Sequence, residues 1–151
     1  MKKMNLLLNY LETNANNYSK INSTVSDSSV GWHIIHCCLV INSVIYSVVK
    51  SDPKSFKKKF SFKAFMVLLL NKFPRGRAKA PSFTMPNEDI NTDVVFQNIN
   101  ESRKKLELLL AANENQYFTH PIFGDLNLKP TIKFLGVHTN HHIKIIKDIL
   151  K

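Results

Sequence analysis

Leu135-Gly136-Val137-His138-Thr139-Asn140-His141-His142 sets imidazoles one helical turn apart inside an apolar, lysine-flanked run. At ~100° per residue, His138, His142, Ile145 and Ile149 fall within an arc of ~60°, with Lys133, Asn140, Lys144 and Lys147 on the far side. The stretch therefore predicts an amphipathic helix with two histidines facing inward. An i, i+4 pair aims two ring nitrogens at one point, which is what a first-row divalent metal takes from a helix. His141 lies ~60° off that line, in a flanking position. The alternative for each histidine is a hydrogen-bonded core or boundary residue.

Helical periodicity continues outward from this stretch. Only 4 glycines and 6 prolines occur in 151 residues, and the prolines cluster between helical runs. That pattern favours an all-α fold in one domain covering the whole chain, 1–151. The expected helices run over about Asn5 to Ile21, Ser29 to Lys50, Phe56 to Lys72, Asn91 to Asn113 and Asn127 to Leu150. Ser26 to Ser29 offer caps for the second, Asn91-Thr92-Asp93 caps the fourth, and Asp52-Pro53 stops the second. The third helix is expected to turn Phe60, Ala64, Val67 and Leu68 inward and its lysines outward. Tyr117 to Asp125 reads as an aromatic loop folded over an apolar opening.

The second helix is apolar nearly all round, apart from a stripe containing Ser29, His33, His36, Ser43 and Ser47. A buried helix with such a stripe either satisfies these groups across an interface or lines a site. Ser29 to Val49 carries no charged residue over 21 positions, long enough to span a bilayer. Its histidines, Asn42 and serines instead favour the central helix of a bundle.

The formal charge of +10 reads as a solvated basic exterior, since the lysines are dispersed and no nucleic-acid motif accompanies them. No nucleic-acid or membrane partner is expected. Arg75, Arg77 and Lys79 form a weak candidate anion site in a long connection. Cys37 and Cys38 point to different faces of a helix and read as reduced, buried thiols of a cytoplasmic protein. Lys2 and Lys3 precede too short an apolar run for a secretory signal.

A catalytic metal usually takes three protein ligands and leaves one position open. His36, His138 and His142 supply three imidazoles from two helices, a donor set suited to Zn, Ni, Fe or Cu. Ser28-Ser29-Val30-Gly31-Trp32-His33-Ile34-Ile35-His36 resembles the start of the second helix in DinB/YfiT-like proteins, which ends on a metal-ligand histidine. His138-Thr139-Asn140-His141-His142 resembles the H-x-x-x-H of their final helix, and His120-Pro121-Ile122-Phe123-Gly124 resembles a loop of one branch of that superfamily. The resemblance implies an up-down four-helix bundle, here with an additional helix and long connecting loops. It also implies a tri-histidine site for a divalent metal, Zn or Ni before Fe or Mn, often in a homodimer. Relatives of this kind include thiol-dependent S-transferases, hydrolases and isomerases.

The expected function is thus a metal-dependent transferase or hydrolase acting on a small molecule, with a low-molecular-weight thiol as a candidate partner. His33 and His120 are the candidates for proton transfer or for orienting a ligand. The competing expectation is a non-catalytic helical bundle that binds a small ligand or a protein.

Overall fold

The computed structural model describes residues 1–73, 81–86 and 89–151. Helices dominate: α1 (Lys2–Thr13), α2 (Val30–Lys50), α3 (Phe62–Leu70), α4 (Thr92–Leu108) and α5 (Leu128–Ile149), with 3-10 turns at Ala15–Asn17, Pro53–Ser55 and Ser82–Thr84. The departure from an all-α chain is a hairpin of β1 (Tyr117–His120) and β2 (Gly124–Asn127), paired antiparallel from Tyr117 with Asn127 to His120 with Gly124. Aromatic and β-branched residues favour the strand, and Gly124 takes the left-handed φ of 74° that the turn requires. The aromatic segment read as a loop is therefore ordered by backbone pairing.

Short polar side chains set several boundaries. Ser29 Oγ accepts from the Trp32 amide at 3.2 Å, Ser61 Oγ from Ala64 at 3.3 Å and Asn91 Oδ1 from Val94 at 3.0 Å, capping α2, α3 and α4. Helix α1 ends well before Ile21. There Thr13 and Asn14 side chains donate to the carbonyls of Asn9 and Tyr10, a local bonding that competes with helix continuation. Helix α3 begins only at Phe62, because Ser61 caps it, and ends at Asn71 in the left-handed region with φ 50°. Asn127 occupies the N-cap position of α5 without a side-chain cap bond, while Thr131 Oγ1 donates to Leu126 O at 2.6 Å and ties the helix to β2.

Helix α2 packs on α4 and α5, and α1 packs on the same two helices, so the four close a ring of contacts; α3 reaches only α5 among the principal helix pairs. Leu8, Leu11, Ile34, Ile41, Ile45, Ile99, Leu135 and Ile146 are fully enclosed within it. Gly31 makes the entry to α2 possible, since a Cβ there would lie 2.7 Å from Ile90 and 2.9 Å from Tyr18. Between α2 and α4, buried Ser102 donates to the Cys38 carbonyl and to Asn42 Oδ1, at 3.3 and 3.1 Å. Cys37 and Cys38 are free and buried; burial pushes Cys38 up to about 12 and Cys37 well above its ordinary value. Helix α2 is long and apolar enough to cross a membrane, and 67% of its most apolar window is buried inside the fold.

The expected inward set of α3 is only partly met. Ala64 is buried and Val67 and Leu68 are half-buried, but Phe60 precedes the helix and is 79% exposed. Just past the end of α4, Leu109 is buried and Leu110 exposed.

Candidate metal centre

Helices α2 and α5 cross so that the inward stripe of each meets the other. His36, His138 and His142 each offer one ring nitrogen, and the three lie within 4.8 Å of one another. Ring centroids are 5.2 Å apart for His36 and His138, 4.7 Å for His36 and His142, and 4.8 Å for His138 and His142. Three nitrogens at ~2.0–2.1 Å from a tetrahedral zinc would stand ~3.4 Å from one another.

The surroundings determine which nitrogen is free on two of the rings. His36 Nδ1 donates to the Thr84 carbonyl at 2.7 Å, so its lone pair is on Nε2; the ring also stacks on Trp32, with centroids 5.0 Å apart and planes at 13°. His142 Nδ1 pairs with His33 Nδ1 at 2.9 Å, and His33 Nε2 pairs with Ser26 Oγ at 3.1 Å. His138 Nδ1 is buried with no hydrogen-bond partner among the described residues. An uncompensated buried polar atom costs about 1–3 kcal/mol, and a cation shared with the other two rings is a partner it lacks. The orphaned nitrogen and the all-imidazole donor set both fit a divalent metal.

All four of these histidines are held neutral. Burial, followed by His36 and His141, pushes His33 down to about 4. Burial also lowers His36 against a raising hydrogen bond from Thr84. His138 falls to about 3 through burial and the neighbouring His36, His141 and His120, and His142 is driven well below its ordinary value by burial and the facing imidazoles. Neutral imidazole is the form that binds metal.

His120 lies apart from the trio. It ends β1, where its Nδ1 accepts the amides of Ile122 and Phe123 at 3.0 and 3.2 Å, and its ring stacks on Phe123 at 4.2 Å. Phe134, 5.1 Å from His120 and 5.9 Å from His138, links the two. Burial lowers His120 to about 4. His141 sits beside His142 with rings perpendicular and 5.2 Å apart. Phe73 packs edge-on against both His138 and His141, at 6.2 and 6.1 Å. Arg75, Arg77 and Lys79 lie outside the described residues.

The serine half of the α2 stripe has a different role. Ser43 and Ser47 donate to the carbonyls of Val40 and Ser43 on their own helix. Residues missed by sequence reasoning are Thr84, Trp32 and Ser26. A carbonyl acceptor such as that of Thr84 has no sequence signature, and Ser26 reads as a cap until the fold brings it to His33.

No family model matches the chain, and neither a curated protein nor a solved structure matches it.

Proposed function

We propose that this chain is a metal-dependent enzyme with a divalent ion, Zn or Ni before Fe or Mn, held by His36, His138 and His142. The supporting observation is the convergence of three imidazoles from two helices, His36 and His142 buried and His138 half-buried with an orphaned, buried Nδ1. The closed ring of contacts among α1, α4, α2 and α5 supports a four-helix bundle of the DinB/YfiT kind, with α3 as the additional helix. A divalent ion at such a site supplies a Lewis acid that favours the deprotonated form of water or a thiol near neutral pH. The proposed reactions are transfer of a low-molecular-weight thiol or hydrolysis of a small molecule, by a cytoplasmic homodimer.

Ligation through His142 Nε2 requires its Nδ1 to carry the proton. That proton is donated to His33 Nδ1, which leaves His33 Nε2–H to donate to Ser26 Oγ. In this arrangement both nitrogens of His33 are engaged. We therefore assign His33 the role of fixing the His142 tautomer rather than moving protons at a substrate. His120, with Nδ1 engaged by the hairpin turn, orders the cover over Phe134.

The test is elemental metal content of untagged protein prepared without a nickel column, beside His36→Ala and His142→Ala. About one equivalent in the native chain, lost in both variants, supports the proposal and selects thiol-transfer and hydrolysis assays. Absence of metal, with none taken up on titration, overturns it. The second reading, a non-catalytic binding bundle, is favoured by the His36–Thr84 and His33–His142 pairs, which satisfy buried imidazoles without an ion. It predicts that metal-free outcome.

A further inference from the structure

Helix α3 and the segment leading into it form a surface that is both basic and apolar. From Pro53 to Phe73 the chain has six lysines and no acidic residue. Lys54, Lys57, Lys58, Lys59, Lys63 and Lys72 are all exposed. So are the large apolar side chains among them: Phe60 is 79% exposed, Phe62 65%, Phe65 48%, Leu69 56% and Leu70 62%. On a helical wheel, Phe62, Phe65 and Leu69 lie within ~60° of one another, while Ala64, the buried residue of the helix, faces the opposite way. Helix α3 thus turns an apolar ridge toward solvent, within a collar of cations.

Beside the ridge, a groove of about 340 Å³ opens between α3 and α5, lined by Phe65, Leu68, Leu69 and Pro130, with Lys129 and Lys133 also on its wall. An apolar floor and a cationic rim are again adjacent.

We infer that this face docks on an anionic lipid surface, with Phe62, Phe65 and Leu69 entering the acyl boundary and the lysines meeting the headgroup phosphates. An in-plane amphipathic helix with Phe and Leu on one face and Lys around it has the chemistry of such binding. The charge pattern disfavours a second copy of the chain on the same face. An isologous contact would set lysines against lysines with no carboxylate from Pro53 to Phe73 to offset them. Leucines do not stack on bases, so the ridge also fits acyl chains better than a nucleic acid strand. The expectation of a merely solvated basic exterior is revised because the fold leaves the apolar residues of this segment outside.

The test is co-sedimentation of the full chain with phosphatidylcholine vesicles and with vesicles containing phosphatidylglycerol. Binding is expected only to the anionic vesicles, falling steeply from ~0.05 M to ~0.5 M salt. Lys57→Gln/Lys58→Gln/Lys59→Gln is expected to weaken it about 100-fold. Phe65→Ser/Leu69→Ser is expected to abolish sedimentation with every lysine retained. Both variants change exposed side chains, and unchanged circular dichroism would verify folding. No association with anionic vesicles at low salt overturns the inference. It is equally overturned if the Phe65→Ser/Leu69→Ser variant binds as well as the native chain, or if sedimentation velocity shows a dimer that this variant dissociates. Tighter binding to single-stranded RNA than to vesicles, indifferent to the same variant, would assign the face to nucleic acid.

Discussion

Helices α2 and α3 invert the usual relation between composition and burial. Of the nine residues of α3 only Lys63 is polar, yet only Ala64 is buried; α2 carries histidines, Asn42, serines and a lysine, yet most of it lies inside. Helix α2 packs on both α4 and α5, whereas among the principal helix pairs of the described residues α3 meets only α5. Burial follows the number of partners a helix has. Polar groups are tolerated within α2 because Thr84, Ser102 and His142 bond them. The exposed apolar groups of α3 have no comparable set of helices over them among the described residues.

The contrast is most severely tested by truncating one large apolar residue in each helix. Ile41→Ala, within the ring of helices, is expected to cost about 2–5 kcal/mol, and Leu69→Ala about 0.5 kcal/mol or less, by urea unfolding. Equal losses would mean that α3 is covered in solution.

The next effect concerns the polar interior of α2. His33→Phe keeps the ring volume but removes the partner of His142 Nδ1, and metal affinity is expected to fall about 10- to 100-fold. A competition titration measures it. Reduced thermal stability at unchanged affinity would leave His33 as a packing residue.

Acid should test the buried imidazoles. His33 and His120 titrate at about 4 in the folded chain and near ~6.5 when unfolded. Between those values the unfolded chain binds more protons, so stability rises with pH across the window. It is complete above ~6.5 and lost as pH falls through ~4. Thermal midpoints measured without added metal should follow that slope, and His120→Gln should make it shallower. The smallest expected change is Ser61→Ala, which removes the cap of α3. It should speed amide exchange in that helix about fivefold, a loss of about 1 kcal/mol, and leave α2 exchange untouched.

Much of the tri-histidine cluster is legible in sequence because side chains on one helix obey its period. His138 and His142 stand one turn apart whatever surrounds them, and the apolar run around His36 marks a buried helix. The caps at Ser29 and Asn91 are local in the same way, since a side chain and an amide three residues on meet without help from the rest of the fold. Helix ends were less legible where short polar side chains compete for backbone bonds, as at Thr13 and Asn14. The hairpin was missed because strand pairing depends on a partner segment rather than on a residue's own neighbours.

Spacing along the chain is enough to specify five amphipathic or apolar helices and the faces of α2 and α5 that carry imidazole. Tertiary packing brings those faces together, sets Thr84 and Ser26 against the rings, and leaves Phe62, Phe65, Leu69 and Leu70 of α3 exposed. Each of these depends on residues far apart in sequence being brought into contact, and periodicity carries no information about which surfaces will find a partner.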